Sequence, residues 1–527
     1  MTDRKMISLT IEGRPVTVPE GLSILEAAKS AGVVVPHYCY HPGLPVAGVC
    51  RMCLVEVEKL PKLAPACATS VMEGQVVHVH SPKALEARKG VLEFLLINHP
   101  LDCPICDQAG ECELQDYTFA EGRADSRYRE SKRFNPVEDF GGDVLYVPNR
   151  CILCTRCVRF MTDVAHEPVL NVSERGDRAF IGKADGHDLT NSWAGNVVDL
   201  CPVGALLSKD FLNKARAWEL DRAPTICTGC SQGCNAVAET RDNVLVRLKP
   251  RSNDQVNHFY LCETGRLGYR AFNRRDRVDQ PLVRHDGALR VADWEAAVAT
   301  AARVIGSRRL MVLASPNLSN ESLFLLARLR AVLPGDGVFR VEQGAEVPLP
   351  GVADLALRAE RAANATGARL LGFTDAVSLS DVLEHGDALL IVGDDLEGVG
   401  EVLLDRASST VYIGTVLPEA LATRADVVLP STNTMEEEGT LTNLRGRVQR
   451  FLQAKAAPGM ARPTWYVVAD VLEACGGDGQ FYLPSEVFGA MAANHGPFAG
   501  LNYEILGLRG QALVTEEVLS LPTEAVS

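Results

Sequence analysis

Apolar and polar residues alternate through Ile7, Leu9 and Ile11 and again through Val16 and Val18, on either side of Glu12-Gly13-Arg14, which predicts a β-hairpin. Ser23 followed three residues later by Glu26 is a capping box for a short helix that stops at Gly32. Alternation returns over 51–57 as a strand, so that hairpin, helix, loop and strand form a small α+β unit of the β-grasp kind. Ser81-Pro82 starts a helix with Leu85, Val91, Leu92, Leu95 and Leu96 on one face, ending at Asn98-His99-Pro100. A second hairpin is predicted over 237–248, turning at Asp242-Asn243. From about residue 264 the period changes, and apolar runs at 310–313, 388–392, 411–413 and 427–429 alternate with helical stretches such as 321–333. That pattern predicts a parallel sheet flanked by helices. Residues 113–148 read either as a connecting, partner-facing segment or as a solvated linker, and 456–527, rich in Ala, Gly and Pro, as a stretch that ends in a loosely packed tail.

A chain of 527 residues has room for roughly three to four domains. Its net charge of -14 argues against nucleic acid as a bulk partner, because phosphate binding needs a basic footprint that the short run 445–450 does not supply. Met1-Thr-Asp-Arg-Lys leads into the first strand without an apolar signal core, and no window reaches about 20 uninterrupted apolar residues. A role at a membrane would therefore run through partner subunits. Sixteen cysteines without an export signal point to metal ligation rather than disulfides. Fifteen of them lie before residue 263, in tight groups; Cys475 stands alone and reads as a small apolar residue.

Cys39, Cys50, Cys53 and Cys67 are spaced C-x10-C-x2-C-x13-C. Plant-type ferredoxins use C-x4-C-x2-C and a distant fourth ligand, so a [2Fe-2S] cluster is expected in a longer loop. A structural zinc site would supply two tight pairs, and Cys39 and Cys67 are too isolated for that. His99, Cys103, Cys106 and Cys112 read H-x3-C-x2-C-x5-C, where a neutral imidazole completes a set of three thiols for a [4Fe-4S] cube, as His replaces Cys in Rieske centres. Alone, a His before Pro at a helix end is an ordinary surface residue; the incomplete triple beside it favours a ligand. Cys151, Cys154 and Cys157, with Cys201 before Pro202, carry the spacing of a bacterial-ferredoxin [4Fe-4S] segment. Only one such set is present, so Cys201 is expected to close its own cluster across an insertion of short β-like runs. Cys227, Cys230, Cys234 and Cys262, spaced C-x2-C-x3-C-x27-C, form the last group. Fifteen cysteines and one histidine then fill four sites.

Laid out in this way, the chain resembles the large iron-sulfur subunit of bacterial respiratory NADH:quinone oxidoreductase, complex I. The resemblance covers residues 1 to about 450 and is most specific at 99–112, 151–160, and Cys201-Pro-Val-Gly-Ala-Leu-Leu-Ser-Lys209 with Ala215-Arg-Ala-Trp-Glu-Leu220. The continuation through Gly265-Arg-Leu-Gly-Tyr269, Ala425-Asp-Val-Val-Leu-Pro430 and Glu438-Gly-Thr-Leu-Thr-Asn443 is similar to the molybdopterin oxidoreductase fold, shared with formate dehydrogenases. The resemblance implies a [2Fe-2S] domain at 1–80, a His/Cys3 [4Fe-4S] domain at 81–120, a ferredoxin-type [4Fe-4S] domain at 121–222, a further [4Fe-4S] domain at 223–278 and an α/β molybdopterin-oxidoreductase-like domain at 279–527. It implies one [2Fe-2S] and three [4Fe-4S] clusters, the Cys227 group being the additional one found in some bacterial members, away from the main electron route. It also implies a flavin-containing, NADH-oxidising partner, quinone-module partners, and a place in the peripheral arm on the cytoplasmic side of the bacterial inner membrane. The chain would relay electrons without bond chemistry of its own.

Two departures matter. Catalytic relatives place a pterin-contacting lysine two positions after the last cysteine of the fourth group, where this chain has Cys262-Glu263-Thr264, and no Cys or Ser molybdenum ligand is evident. The chain also ends at 527, short of many bacterial members, so the last domain is expected to be reduced and free of molybdopterin. The alternative is a catalytic formate-dehydrogenase-like or hydrogenase-linked subunit with the same front end; the missing ligands weigh against it. Gly393-Asp394-Asp395 after a strand hints at a nucleotide edge, without a GxGxxG or a P-loop to support it.

Overall fold

Glu12 and Gly13 both adopt positive φ, at 51° and 73°, as a two-residue hairpin turn demands, and the strands Met6–Ile11 and Arg14–Pro19 pair in antiparallel register from Ile11–Arg14 to Met6–Pro19. In the computed structural model, which describes residues 5–376, 384–394, 396 and 403–513, this hairpin opens the first of two compact units. That unit comprises Met1–Leu220 and Leu349–Ala353; the second comprises Asp221–Pro348 and Asp354–Ser527.

In the first unit the five-stranded sheet runs in the order Arg14–Pro19, Met6–Ile11, Val76–His78, Leu54–Val57, Ala64–Pro65. Ile7, Leu9 and Ile11 face a core completed by Ile24, Leu25, Ala27 and Ala28 of the helix Ile24–Ser30, whose capping box forms: Glu26 N–H donates to Ser23 Oγ at 3.2 Å, and Ser23 N–H to Glu26 Oε2 at 2.9 Å. The strand predicted over 51–57 begins only at Leu54. Arg51 has φ 58°, which no strand tolerates, and residues 51–53 belong to the cysteine loop.

The helix Pro82–Leu96 forms, capped by Ser81, but its buried line is Ala84, Arg88 and Leu92 rather than the leucine face predicted. Arg88, with a fully buried side chain, donates to Leu54 O at 3.1 Å and Val79 O at 2.9 Å and pairs with Glu121 at 2.5 Å. Glu121 closes a helix, Glu113–Glu121, that the polar pattern of 113–148 concealed. Strands Glu138–Gly141 and Val144–Tyr146 in the same stretch pair in one sheet with Leu206–Ser208. Much of 113–148 is thus folded structure. The stretch between Cys157 and Cys201 contains the antiparallel pair Leu170–Ser173 and Phe180–Lys183, and then the helix Asn196–Leu200, which ends at Cys201.

The second unit opens with the antiparallel strands Asp221–Ile226, Asn235–Arg241 and Val244–Pro250, the predicted turn having φ 51° at Asp242 and 62° at Asn243. Its eight-stranded sheet is ordered Ala288–Val291, Leu282–His285, Val427–Pro430, Ser409–Gly414, Ala388–Val392, Leu310–Ala314, Gly335–Phe339, Thr374–Asp375, and is parallel from Val427–Pro430 onward. Leu310 and Val312 point into one core and Met311 and Leu313 into another, so both faces are covered, as parallel sheets require. The stretch leading to the predicted loose tail is packed as far as Leu513. Thr464–Ala474 and Pro484–Asn494 are helices, and Trp465, Val468, Leu472, Phe488, Met491 and Phe498 belong to the first of these cores; residues 514–527 lie outside the described residues. Alanine and glycine between those residues lowered the apparent periodicity without removing the apolar stripe.

Beside this core two carboxyl groups are buried. Glu321 accepts hydrogen bonds from Thr440 N–H at 2.9 Å and Tyr503 OH at 2.8 Å, and Glu437 from Thr432 Oγ1 and Thr464 N–H, both at 2.7 Å. Burial dominates at each, pushing Glu321 up to about 7 and Glu437 up to about 8 from an ordinary value of 4.5. Folded Glu437 therefore keeps a proton that the unfolded chain releases, and stability falls as pH rises through this interval, by at most about 1.4 kcal/mol per pH unit per group. Glu437→Gln keeps an acceptor and removes that slope. Its melting temperature should match wild type near pH 4.5 and exceed it increasingly towards pH 8; a pH-independent difference would contradict the buried, protonated carboxyl.

Candidate iron-sulfur sites

The first cysteine group lies against the β-grasp core, with Cys39, Cys53 and Cys67 buried and Cys50 partly so. Cys39 N–H donates to Cys50 Sγ at 3.4 Å, and the sulfurs of Cys53 and Cys67 stand 3.4 Å apart. Two pairs in contact suit a two-iron group, with two thiolates on each iron. Hydrogen bonds from Cys50 and then Cys67 lower the Cys39 thiol, and the Cys67 contact brings Cys53 down to about 7, while the hydrogen-bonded Cys50 and Cys67 are raised.

Cys151, Cys154, Cys157 and Cys201 all line one small, mostly apolar pocket, together with Tyr146, Ile152, Arg156, Ile181 and Leu206. The loop gains its curvature from Leu153 and Thr155, whose φ values of 54° and 60° are costly for branched side chains, on the order of 1–3 kcal/mol each. Leu153 N–H turns towards Cys151 Sγ at 3.4 Å. Burial pushes Cys151 up to about 11 and Cys154 up to about 12, and raises Cys157 as well. Thiols that resist ionisation in a dry pocket are stabilised as thiolates by a cationic metal group, so the donor set fits an iron-sulfur cluster.

In the remaining group of this unit, Cys106 is buried, Cys112 partly buried and Cys103 exposed; burial pushes Cys112 up to about 11, and Cys106 and Cys201 add to the rise. His99 stands just beyond the helix Pro82–Leu96, and its Nδ1 is buried without a hydrogen-bond partner among the described residues. Burial first, then Lys132 and Arg150, bring its imidazole down to about 4, so it is neutral at pH 7 as a metal ligand must be. An orphaned, neutral ring nitrogen is chemically available as a metal ligand. His99 and Cys151 also line one polar cleft.

The Cys151–Cys201 loops are fastened to both neighbours. Arg150 pairs with Asp102 at 2.9 Å, Glu113 N–H donates to Pro202 O at 3.1 Å, and a Cβ on Gly204 would collide with Cys106 Sγ. On the other side Arg159 Nη2 donates to Cys39 O at 2.5 Å and Cys154 O at 3.2 Å, while Arg156 Nη2 donates to Tyr40 O at 2.8 Å. Buried Tyr38 packs edge-on against Tyr117 at 5.4 Å.

In the second unit, Cys227, Cys230, Cys234 and Cys262 are all buried, and Cys230, Cys227 and Cys262 each add to the rise that burial imposes on Cys234. Gly229 N–H donates to Cys227 Sγ at 3.5 Å and Gly265 N–H to Cys262 Sγ at 3.4 Å; a Cβ on Gly265 would approach Cys227 Sγ to 2.9 Å. Among the described residues no three His, Cys, Asp or Glu side chains converge on a point suited to one metal ion. A cube asks for something wider, since each thiolate binds its own corner iron.

Five family models match in chain order. Residues 4–82 match a 2Fe-2S iron-sulfur cluster binding domain, 88–127 the NADH-ubiquinone oxidoreductase-G iron-sulfur binding region, and 141–207 the NADH-quinone oxidoreductase subunit 3 ferredoxin-like domain. Residues 220–274 match a molybdopterin oxidoreductase Fe4S4 domain and 359–474 molybdopterin oxidoreductase. A Rickettsia felis protein named as the G subunit of NADH-quinone oxidoreductase is 36% identical over 414 residues, 78% of this chain and 59% of the relative. Over those residues the chain is similar to this G subunit. The mitochondrial NADH-ubiquinone oxidoreductase 78 kDa subunit of Candida albicans is 43% identical over 56% of this chain and 41% of its own length. NADH dehydrogenase [ubiquinone] iron-sulfur protein 1 of Solanum tuberosum is 40% identical over 63% and 46%. The chain thus spans between about half and three-fifths of the length of the first G-subunit relatives it matches. A solved structure of a NAD+-reducing [NiFe]-hydrogenase is 29% identical, covering 40% of this chain and 90% of that chain, with a TM-score of 0.37, too low to decide anything.

Several residues at these sites were not singled out from sequence. Arg156 and Gly204 were visible only as spacers between ligands, although an arginine inside C-x2-C-x2-C that emerges buried is a usable signal. Asp394 is engaged by Arg340 at 2.7 Å, which weakens the nucleotide-edge reading; Asp395 lies outside the described residues. Cys475 caps the helix Thr464–Ala474 and packs against the core, its thiol pushed up to about 11 by burial. Gly204→Ala should displace Cys106 and abolish or shift one [4Fe-4S] EPR signal while sparing the [2Fe-2S] signal. An unaltered spectrum would mean that Cys106 is not a ligand or that the loop yields freely.

Proposed function

We propose that this chain is the iron-sulfur relay subunit of an NADH:quinone oxidoreductase, carrying electrons from an NADH-oxidising flavin partner towards quinone-module subunits. Cys39, Cys50, Cys53 and Cys67 hold a [2Fe-2S] cluster. His99 with Cys103, Cys106 and Cys112, Cys151 with Cys154, Cys157 and Cys201, and Cys227 with Cys230, Cys234 and Cys262 hold three [4Fe-4S] clusters. The observation that carries this reading is the convergence of Cys151, Cys154, Cys157 and Cys201 on one cavity, tied by hydrogen bonds and packing to the groups on either side.

When bound, such clusters accept and pass single electrons. The chain's own residues supply thiolates, keep water from the sulfurs by burial, and hold three sites of the first unit in fixed order through Arg150, Arg156, Arg159 and Gly204. No bond-making residue is needed. The names of the relatives favour this over a catalytic formate-dehydrogenase-like subunit. The final domain is read as cofactor-free: Glu263-Thr264 follows Cys262 where catalytic relatives carry lysine, and Asp394 is paired internally. No helix among the described residues is long and apolar enough to cross a membrane. By its likeness to complex I subunits, we also propose for the chain a peripheral arm on the cytoplasmic side of a bacterial membrane, attached through its partners, with domains bounded near 80, 120, 222 and 278.

Affinity purification of the tagged chain from its own cells should bring down a flavin-containing subunit, and NADH should reduce the clusters of that complex; recovery of formate oxidation in place of NADH oxidation would overturn the reading. His99→Cys should lower the potential of one [4Fe-4S] cluster, because thiolate adds negative charge to the ligand shell. An unchanged potential with full iron would remove His99 from the ligand set.

A further inference from the structure

Arg156 lies between Cys154 and Cys157 on the helix Arg156–Arg159 and is only 4% exposed. A buried guanidinium usually has its donors filled. Here the fork is held at its far end: Nη1 donates to Leu200 O at 3.2 Å and Glu113 Oε1 at 3.3 Å, and Nη2 to Tyr40 O at 2.8 Å and Glu113 Oε2 at 3.4 Å. Nε, however, is buried with no hydrogen-bond partner among the described residues. The same side chain lines the cavity that Cys151, Cys154, Cys157 and Cys201 share.

We propose that Arg156 is a positioning and potential-setting residue for the cluster of Cys151, Cys154, Cys157 and Cys201, its buried charge and its free Nε–H stabilising the reduced form through the cluster sulfurs. This rests on the reading of those four cysteines as a [4Fe-4S] site. The charge is only partly opposed by its partner. Glu113 has 37% of its side chain exposed, and burial holds its carboxyl above the usual carboxylate range, whereas the guanidinium side chain is 5% exposed. Cation and N–H donor act in one direction. Reduction adds an electron to the cluster, and both stabilise the added negative charge, which raises the potential. The fork contacts meanwhile tie residues adjoining Cys39, Cys112 and Cys201 to one side chain.

The test is an EPR-monitored redox titration of the full chain, purified anaerobically with clusters assembled in the cell. Arg156→Gln should lower the potential of one [4Fe-4S] cluster by about tenfold in its one-electron equilibrium constant, about 59 mV, with smaller shifts in the other signals. Arg156→Lys keeps the charge and loses Nε–H, so it should fall by less. Glu113→Gln removes the opposing charge and should move the same cluster upward. An iron-replete Arg156→Gln with an unmoved potential, or equal falls for Gln and Lys, would reduce Arg156 to a structural clamp and overturn the proposal. If Arg156→Gln loses the cluster, the other two variants decide: a lowered or unmoved potential in Glu113→Gln, or an unmoved one in Arg156→Lys, overturns it. Wild-type chain without iron at this site would instead overturn the cluster reading itself.

Discussion

Four thiols facing one dry cavity impose the constraint on which the first unit depends. Each would be reluctant to ionise there, with burial raising Cys151, Cys154, Cys157 and Cys201. A cationic iron group at this site would stabilise their thiolates. The surrounding backbone is shaped for it, with left-handed Leu153 and Thr155 bending the loop, and Cys201 brought back at the end of the helix Asn196–Leu200.

The ties radiating from this loop convert a single site into a series. Arg159 and Arg156 reach backbone oxygens beside the first group, and Arg150, Pro202 and Gly204 meet the second. These contacts tie the three sites to one another within this unit. The second unit follows a different logic. Its cysteine group lies beside a small antiparallel sheet, and its large parallel sheet is covered on both faces by apolar cores. It is matched to molybdopterin oxidoreductases by sequence, with Asp394 held by Arg340 at the end of a central strand.

Short-range chemistry was legible in the residues themselves. The hairpin about Glu12-Gly13, the Ser23–Glu26 capping box and the strand runs from 310 onward each depend on near neighbours, and each formed. The grouping of Cys151, Cys154, Cys157 and Cys201 was legible for a similar reason, as three ligands lie within one loop. What escaped depended on distant partners. The helix Glu113–Glu121 looks polar because its main tie is Glu121 to a fully buried arginine, and Arg88 looks like a surface residue until Leu54 O and Val79 O surround it. Trp465, Phe488 and Phe498 pack because a sheet far earlier in the chain offers its face to them, which no local window reveals.

The measurement that bears most directly on the account is metal and acid-labile sulfide content of the anaerobically purified full chain, with Mössbauer spectroscopy to sort the iron. Four sites of the assigned types predict fourteen irons per chain, one two-iron and three four-iron groups, with matching sulfide. Stoichiometric zinc in place of iron, or iron without sulfide, would contradict it.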